Sequence, residues 1–368
     1  KEFASKKNPF QQLIKSFAPS IHGLTAIKES LLLSLFGGQE KMLPDGIRVR
    51  GDAHILLVGD PGTAKSELLK YVAGIAPKGL FTVGRGTTAA GLTAAVIKDT
   101  SGSFSLEAGA LVLADRGICC IDEMDKMNDN DRVAIHEALE QQTVSIAKGG
   151  IVGTLNARST VIAAANPSEG RYNTNKMASD NISLPVTLLS RFDLIHVIRD
   201  EPDFDRDQAL VKHVLDTRGQ KHNPTDLLEN DFIKKYIVFS KRIQPVLTDE
   251  SRKKIEEYYL KMRERADSES PISISARQLE ALIRLSEARA RSELKNQIEI
   301  HHVDTAIRLT SNFLRQIGVD PETGEIDVDI VLSGRPASGR SQVAIIRDII
   351  ARLYQAENNE AVPLEKIL

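Results

Sequence analysis

Short apolar runs alternate with helical periodicity through the first two-thirds of the chain; beyond about residue 201 only the helical period remains. The runs at 54–58, 118–121, 160–165 and 194–198 are short and scarcely interrupted by polar residues, as buried strands should be. Between them, 65–73 and 131–141 carry the 3.6-residue spacing of helices facing a core. That alternation predicts an α/β domain built on a mostly parallel sheet. It spans residues 1–201 and is preceded by a short helical lead-in over 1–50. From 202 to 318 the pattern predicts helices alone, at about 205–217, 231–242, 249–265, 275–294 and 302–317. Several open on Asp or Ser, the residue types expected at N-caps. Residues 319–341 carry Pro, Gly, Ser and Asp and read as a linker, and a last amphipathic stretch lies at about 342–355.

Composition narrows the function classes. The chain has 368 residues with 48 Lys+Arg against 50 Asp+Glu, a formal charge of −2, which excludes a globally basic nucleic-acid coat but leaves room for a local basic site. There is no Trp and aromatics are 5%, so base-stacking platforms are scarce. The apolar runs are far shorter than a membrane span. The two cysteines, Cys119 and Cys120, are neighbours in one strand run; their side chains point to opposite faces and suit neither a disulfide framework nor a metal site, in keeping with a reducing compartment. The chain opens on Lys1 without a signal-peptide pattern, and the expectation is a fragment of a longer protein.

The strongest chemical signal is Gly59-Asp60-Pro61-Gly62-Thr63-Ala64-Lys65-Ser66, placed directly after an apolar run and before a helical stretch. This is the strand, glycine-rich loop and helix context of a P-loop, with Ala64 where the usual pattern has its last glycine. Backbone N–H groups at a helix N-terminus wrap phosphate oxygens, Lys65 would reach the β- and γ-phosphates, and the Ser66 hydroxyl would ligate Mg²⁺. The bland alternative is a Gly-Pro turn before a helix. Asp122 and Glu123 end the run Ile118-Cys119-Cys120-Ile121. Such a pair often serves as a capping turn, but one βαβ interval after a P-loop it fits an Asp holding Mg²⁺ and a Glu activating water. Asn166, before Pro167, is either a turn starter or a polar group aimed at the ligand crevice from a neighbouring strand. Arg191, in Ser190-Arg191-Phe192-Asp193, is either a solvated charge or a nucleotide contact. Arg277 follows Ser275-Ala276 in the first turn of a helix, where a cation opposes the helix dipole and invites an external anion.

With these motifs in place, the sequence resembles the motor portion of a minichromosome maintenance (MCM) replicative helicase, with an archaeal source as the expectation. The residues carrying the resemblance are the P-loop 59–66 with its Ala64, the run Ile121-Asp122-Glu123-Met124-Asp125-Lys126-Met127, and Leu189-Ser190-Arg191-Phe192-Asp193. The likeness runs from about residue 10 to 317. It implies an AAA+ P-loop NTPase fold, a parallel α/β sheet domain with an all-helical lid over 202–318, and a truncated winged-helix start over 342–368. It also implies a homohexameric ring binding DNA, with ATP and Mg²⁺ between subunits and other replisome proteins as partners. Its location would be cytoplasmic and nucleoid-associated in an archaeon, nuclear in a eukaryote, with no membrane. By this resemblance Lys65, Ser66, Asp122, Glu123 and Asn166 serve the subunit that holds the ATP. Arg191 resembles an arginine finger and Arg277 a second sensor, both reaching the neighbouring subunit's nucleotide. Arg48 matches a further trans-acting arginine, and Ile21-His22-Gly23 the stretch around the adenine.

Two insertions extend the likeness. Residues 143–155 alternate on both sides of Lys148-Gly149-Gly150, a hairpin by pattern; it is either an ordinary surface hairpin with a solvated Lys or, as the resemblance implies, one that projects Lys148 onto DNA phosphates in the ring channel. Residues 87–107 resemble a second channel loop that interrupts a helix. A protein-remodelling ATPase of the same clade would share every nucleotide residue. Its sigma-factor-activating members carry Gly-Ala-Phe-Thr-Gly-Ala in that loop, where this chain has Thr-Thr-Ala-Ala-Gly-Leu-Thr-Ala over 87–94. A non-hydrolysing scaffold would not be expected to keep Lys65, Asp122 and Glu123.

Overall fold

The computed structural model describes residues 2–5, 8–84, 91–98, 104–148, 151–172, 181–218, 227–265 and 276–316. The expected linker over 319–341 and the winged-helix start over 342–368 lie outside them, as do residues 87–90 and 99–103 of the second insertion and Ser275. The lead-in consists of α1 (Pro9–Ser16) and α2 (Thr25–Phe36), then a small antiparallel pair, β1 (Lys41–Met42) with β2 (Arg48–Val49). In α2 the apolar residues are not confined to one stripe, and Leu31, Leu32, Leu33, Leu35 and Phe36 are fully buried, as expected of a helix packed on several faces.

The strands β3 (Ile55–Gly59), β4 (Gly79–Val83), β5 (Ala94–Lys98), β6 (Phe104–Ala108), β7 (Ile118–Asp122), β8 (Thr143–Lys148), β9 (Ile151–Asn156), β10 (Thr160–Ala165) and β11 (Leu194–Ile198) follow. Five of them form one sheet in the order β11-β3-β10-β7-β4, every pair parallel. The four expected core strands are present within a residue at each end. The fifth, β4, is only partly buried, and Gly79 and Thr82 leave it no continuous apolar run to read. The pairs β5–β6 and β8–β9 are antiparallel hairpins; the second is the hairpin expected over 143–155. The described part of the other insertion is likewise a hairpin, leading into a single helical turn, α4 (Ala110–Leu113). Cys119 and Cys120 are free and fully buried, and burial raises both thiol pKa values, that of Cys119 to about 12.

Helices α3 (Lys65–Ile75), α5 (Asp129–Gln141) and α6 (Val186–Leu189) complete the region before residue 202, and α7 (Phe204–Arg218), α8 (Asn230–Ser240), α9 (Asp249–Arg265), α10 (Ala276–Ser292) and α11 (Ile300–Gln316) make up the second. The expectation of helices alone after 201 needs one correction: β12 (Val246–Leu247) pairs in parallel with β13 (Gln297–Ile298), strands too short to leave a period-two signal. The Asp N-caps also need one. Asp249 lies inside α9, where the Thr248 hydroxyl accepts from Ser251 N, and Asp205 lies inside α7, where Asp203 accepts from Arg206 N at 2.9 Å. Asp is favourable both at the cap and in the first turn, so its position along the chain does not separate the two.

The second region is seated on the first through α10. Arg284 of α10 pairs with Asp193, and both side chains are only 3% exposed. The same carboxylate accepts from His54 N at 2.7 Å and lies 3.7 Å from Arg50. Burial opposes its ionisation, but Arg284 and Arg50 outweigh burial and hold its pKa below the ordinary value. Further along α10, Glu287 accepts from Gln39 N (2.7 Å) and Lys41 (2.6 Å), and Arg291 donates to the carbonyls of Gly37 (3.0 Å) and Gly38 (2.6 Å). Arg289 lies 3.8 Å above the Phe10 ring. Replacing one member of a buried pair strands the other's charge. Arg284→Met is therefore expected to lower unfolding free energy by about 3–5 kcal/mol, and Asp193→Asn/Arg284→Met by distinctly less. Urea titrations giving equal losses for the two proteins would show that Arg284 contributes packing alone.

Candidate functional site

Strand order brings the chemistry together. β10 lies between β3 and β7, with Ala165 opposite Val58 and Ala163 opposite Ile121. The loop after β3, the acidic turn after β7 and Asn166 after β10 therefore open at one edge of the sheet, the carboxyl ends of its strands, where α/β folds bind ligands.

The P-loop forms because close packing and left-handed backbone meet there. A Cβ at Gly59 would stand 2.5 Å from the Ile198 carbonyl oxygen, so β11 can approach β3 only with glycine at that position. Gly62 (φ 83°) and Ala64 (φ 63°) turn the chain into α3. Ala64 adopts a left-handed conformation that disfavours any residue with a Cβ, a local strain at the mouth of the site. Lys65, the first residue of α3, is buried and folds back over the loop; its Nζ donates to the carbonyls of Gly59 and Asp60, both at 2.7 Å, and to Thr63 Oγ1 at 3.4 Å. Burial lowers its pKa, against the opposing pull of Asp122, Asp60 and Asp125.

Pro61, Gly62, Ala64, Lys65, Ser66, Glu67, Asp122, Glu123, Ala165 and Asn166 line an open cleft of about 440 Å³. All five residues expected to serve the nucleotide-holding subunit are therefore together. Glu123 has φ 51°, its N–H donates to Asp122 Oδ1 at 2.9 Å, and its own Oε1 accepts from Lys126 at 2.6 Å. Gly59, Asp60 and Thr63 are not among the lining residues. The Asp60 carboxylate accepts from Tyr172 N (2.7 Å) and Asp200 N (2.9 Å), which ties the loop to the segments after β10 and β11.

The expected trans-acting residues stand apart from the cleft lining. Arg191, just after α6, and Arg277, in α10, both bind Glu140 near the end of α5. Arg48 pairs with Glu40. Ile21 and His22 are likewise not in the lining; the Ile21 carbonyl accepts from Lys28 at 2.6 Å, and the His22 ring lies 5.2 Å from that of His213. Lys148 ends β8, paired with Ile151; its side chain and Gly149–Gly150 are outside the described residues.

Sequence reasoning did not single out Glu140, Asp125 or Arg50. Asp125 Oδ1 accepts from Asn166 N at 3.0 Å, locking the Asn166 strand end to the acidic turn. An acid two residues beyond Glu123 was the available signal. Arg50 donates to the Leu139 carbonyl and faces Asp193, contacts spanning 89 and 143 positions that no local pattern encodes.

Comparison with known proteins bears on the whole chain. Residues 1–218 match the MCM P-loop domain and residues 231–314 the MCM AAA-lid domain. A minichromosome maintenance protein MCM of Saccharolobus solfataricus is 48% identical over 98% of this chain and 53% of its own length. The DNA replication licensing factor MCM4 of Oryza sativa is 46% identical over 96% of this chain and 43% of its own. The licensing factor MCM6 of Arabidopsis thaliana is 47% identical over 87% of this chain and 38% of its own. The chain thus spans about half the length, or less, of these relatives. With a parallel P-loop sheet, a helical second region seated on it and matches running through both, the chain belongs to the MCM family.

Proposed function

We propose that this chain is the ATP-hydrolysing motor of a replicative MCM helicase, driving DNA through a ring of identical subunits with nucleotide shared between neighbours. The α/β unit over 1–201 binds the nucleotide, and the region over 202–318 is its lid. The convergence of Lys65, Ser66, Asp122, Glu123 and Asn166 in one cleft carries the reading. The backbone N–H groups of the 59–66 loop and the α3 N-terminus take the phosphates, and Lys65 exchanges its loop carbonyls for β- and γ-phosphate oxygens. Ser66 and Asp122 both line the cleft and offer hard oxygen donors of the kind that suits Mg²⁺. Bound there, Mg²⁺ would neutralise charge on the phosphates. Glu123 accepts a proton from the attacking water, and Asn166 positions that water. Arg191 and Arg277, with Arg48 beside them in role, serve the adjacent subunit's nucleotide, which accounts for their absence from the cleft lining. Ile21 and His22 border the adenine. Relatives named as replication licensing factors support a DNA-associated location, and among the described residues no helix is long and apolar enough to cross a membrane.

The second strand of the hairpin β8–β9 leads into the start of β10, the strand whose far end carries Asn166, and on this reading Lys148 touches DNA phosphates from each subunit. Addition of DNA is expected to stimulate ATP hydrolysis. Lys148→Ala should abolish that increment and forked-DNA unwinding by the full-length protein; unwinding at the parental rate would reduce the hairpin to a surface feature.

Lys65→Ala should weaken both nucleotide binding and turnover. Glu123→Gln should keep ATP bound but uncleaved, a loss on the order of 10²–10⁴ in rate for a general base. Single-turnover hydrolysis by Glu123→Gln at the parental rate would assign the base elsewhere.

Subunit sharing is tested by mixing. Arg191→Ala and Lys65→Ala proteins, each nearly inactive, should regain part of the ATPase together, because some interfaces then hold both intact halves. Arginine-finger effects of about 10³–10⁵ make such recovery easy to detect. Absence of recovery between subunits that demonstrably exchange would place Arg191 outside the site.

A further inference from the structure

Two guanidinium groups from distant elements share one carboxylate. Glu140 Oε2 accepts from Arg191, and Glu140 Oε1 accepts from Arg277 at 2.5 Å. Arg191 is steadied by the Thr187 carbonyl, and its Nε is buried without a hydrogen-bond partner among the described residues. Without an anion between them these cations would repel each other. His136, one turn earlier on α5, is held back from adding a further cation: burial and Arg191 lower its pKa against the pull of Glu140. The carboxylate is the counter-ion. Its two oxygens offer a guanidinium the same fork that two phosphoryl oxygens do. Its side chain is 44% exposed, so it can leave the arginines without crossing packed structure.

We propose that Glu140 is a built-in competitor for phosphate: it occupies Arg191 and Arg277 while the neighbouring subunit's site is empty and gives way when ATP arrives. This inference rests on the trans-acting reading of the two arginines. It adds a reset. An incoming γ-phosphate carries enough charge to draw both guanidinium groups off one exposed carboxylate. A nucleoside diphosphate presents no γ-phosphate, so after hydrolysis the arginines return to Glu140 and the interface loosens. Occupancy of the neighbour's site is thereby written into the position of two side chains, one on each region of this chain.

The competition predicts a change in affinity, whereas a merely orienting carboxylate predicts a change in rate. Exposed charge pairs are individually weak, so releasing two of them should matter by a modest factor. Glu140→Gln is expected to lower the half-saturating ATP concentration about fivefold with kcat held or reduced, and to leave ADP affinity unaltered. In Arg191→Ala/Arg277→Ala protein, binding of a fluorescent ATP analogue should no longer respond to Glu140→Gln. An unchanged or raised KM with a lower kcat would assign Glu140 an orienting role and overturn the competition. Persistence of the affinity gain without the arginines would overturn it too. Parental turnover by Arg191→Ala and Arg277→Ala proteins would instead bring down the shared-site reading, and this inference with it, so the two failures are distinguishable.

Discussion

The buried carboxylate of Asp193 holds the two halves of the structure in one arrangement. It takes the His54 N–H at the start of the P-loop strand, faces Arg50 from the lead-in, and pairs with Arg284 from the middle of α10. An unpaired charge at that depth would be prohibitive; paired, it is demanding about geometry, because each partner must arrive from its own direction. Arg191 stands two residues before Asp193, and Arg277 two helical turns before Arg284 on the same helix. The contact that seats the helical region thus also brings the two partly buried arginines near one another. The arginine pair is a consequence of the buried pair.

The legibility of the sequence follows from the range of the interactions. Continuous apolar runs exposed four of the five core strands because those strands are buried, the edge strand β11 included, whereas β4 is only partly buried and its short run is broken by Gly79 and Thr82. The P-loop was legible because phosphate binding compresses its requirements into eight consecutive residues. Asp122, Glu123 and Asn166 were legible as strand ends, but their convergence depends on β10 inserting between β3 and β7, which no local pattern specifies. Glu140 was invisible for the same reason: in sequence it is one more acid in Glu137-Ala138-Leu139-Glu140, and only the fold brings it to arginines 51 and 137 positions away. The division at about residue 201 came from composition, since the helical region carries no long strand to blur the change.

Helix α5 connects the two ends of the chemistry. It begins shortly after the acidic turn of Glu123, where Asn128 Oδ1 caps it by accepting from Asp131 N at 2.9 Å. It ends at Gln141, one residue past the carboxylate that gathers Arg191 and Arg277. Its 13 residues span about 20 Å, and a capped helix of that length transmits displacement without bending much. The far end is anchored as well. Arg50 donates to the Leu139 carbonyl, and Gln142, in the left-handed conformation that stops the helix, donates to Asp52 at 2.6 Å. β8 starts at the very next residue. On the proposed reading, this one helix joins the acidic turn to both the arginine counter-ion and the root of the DNA hairpin. On that reading the acidic turn, the counter-ion of the two arginines and the root of the hairpin are tied through one secondary-structure element rather than through separate paths across the core.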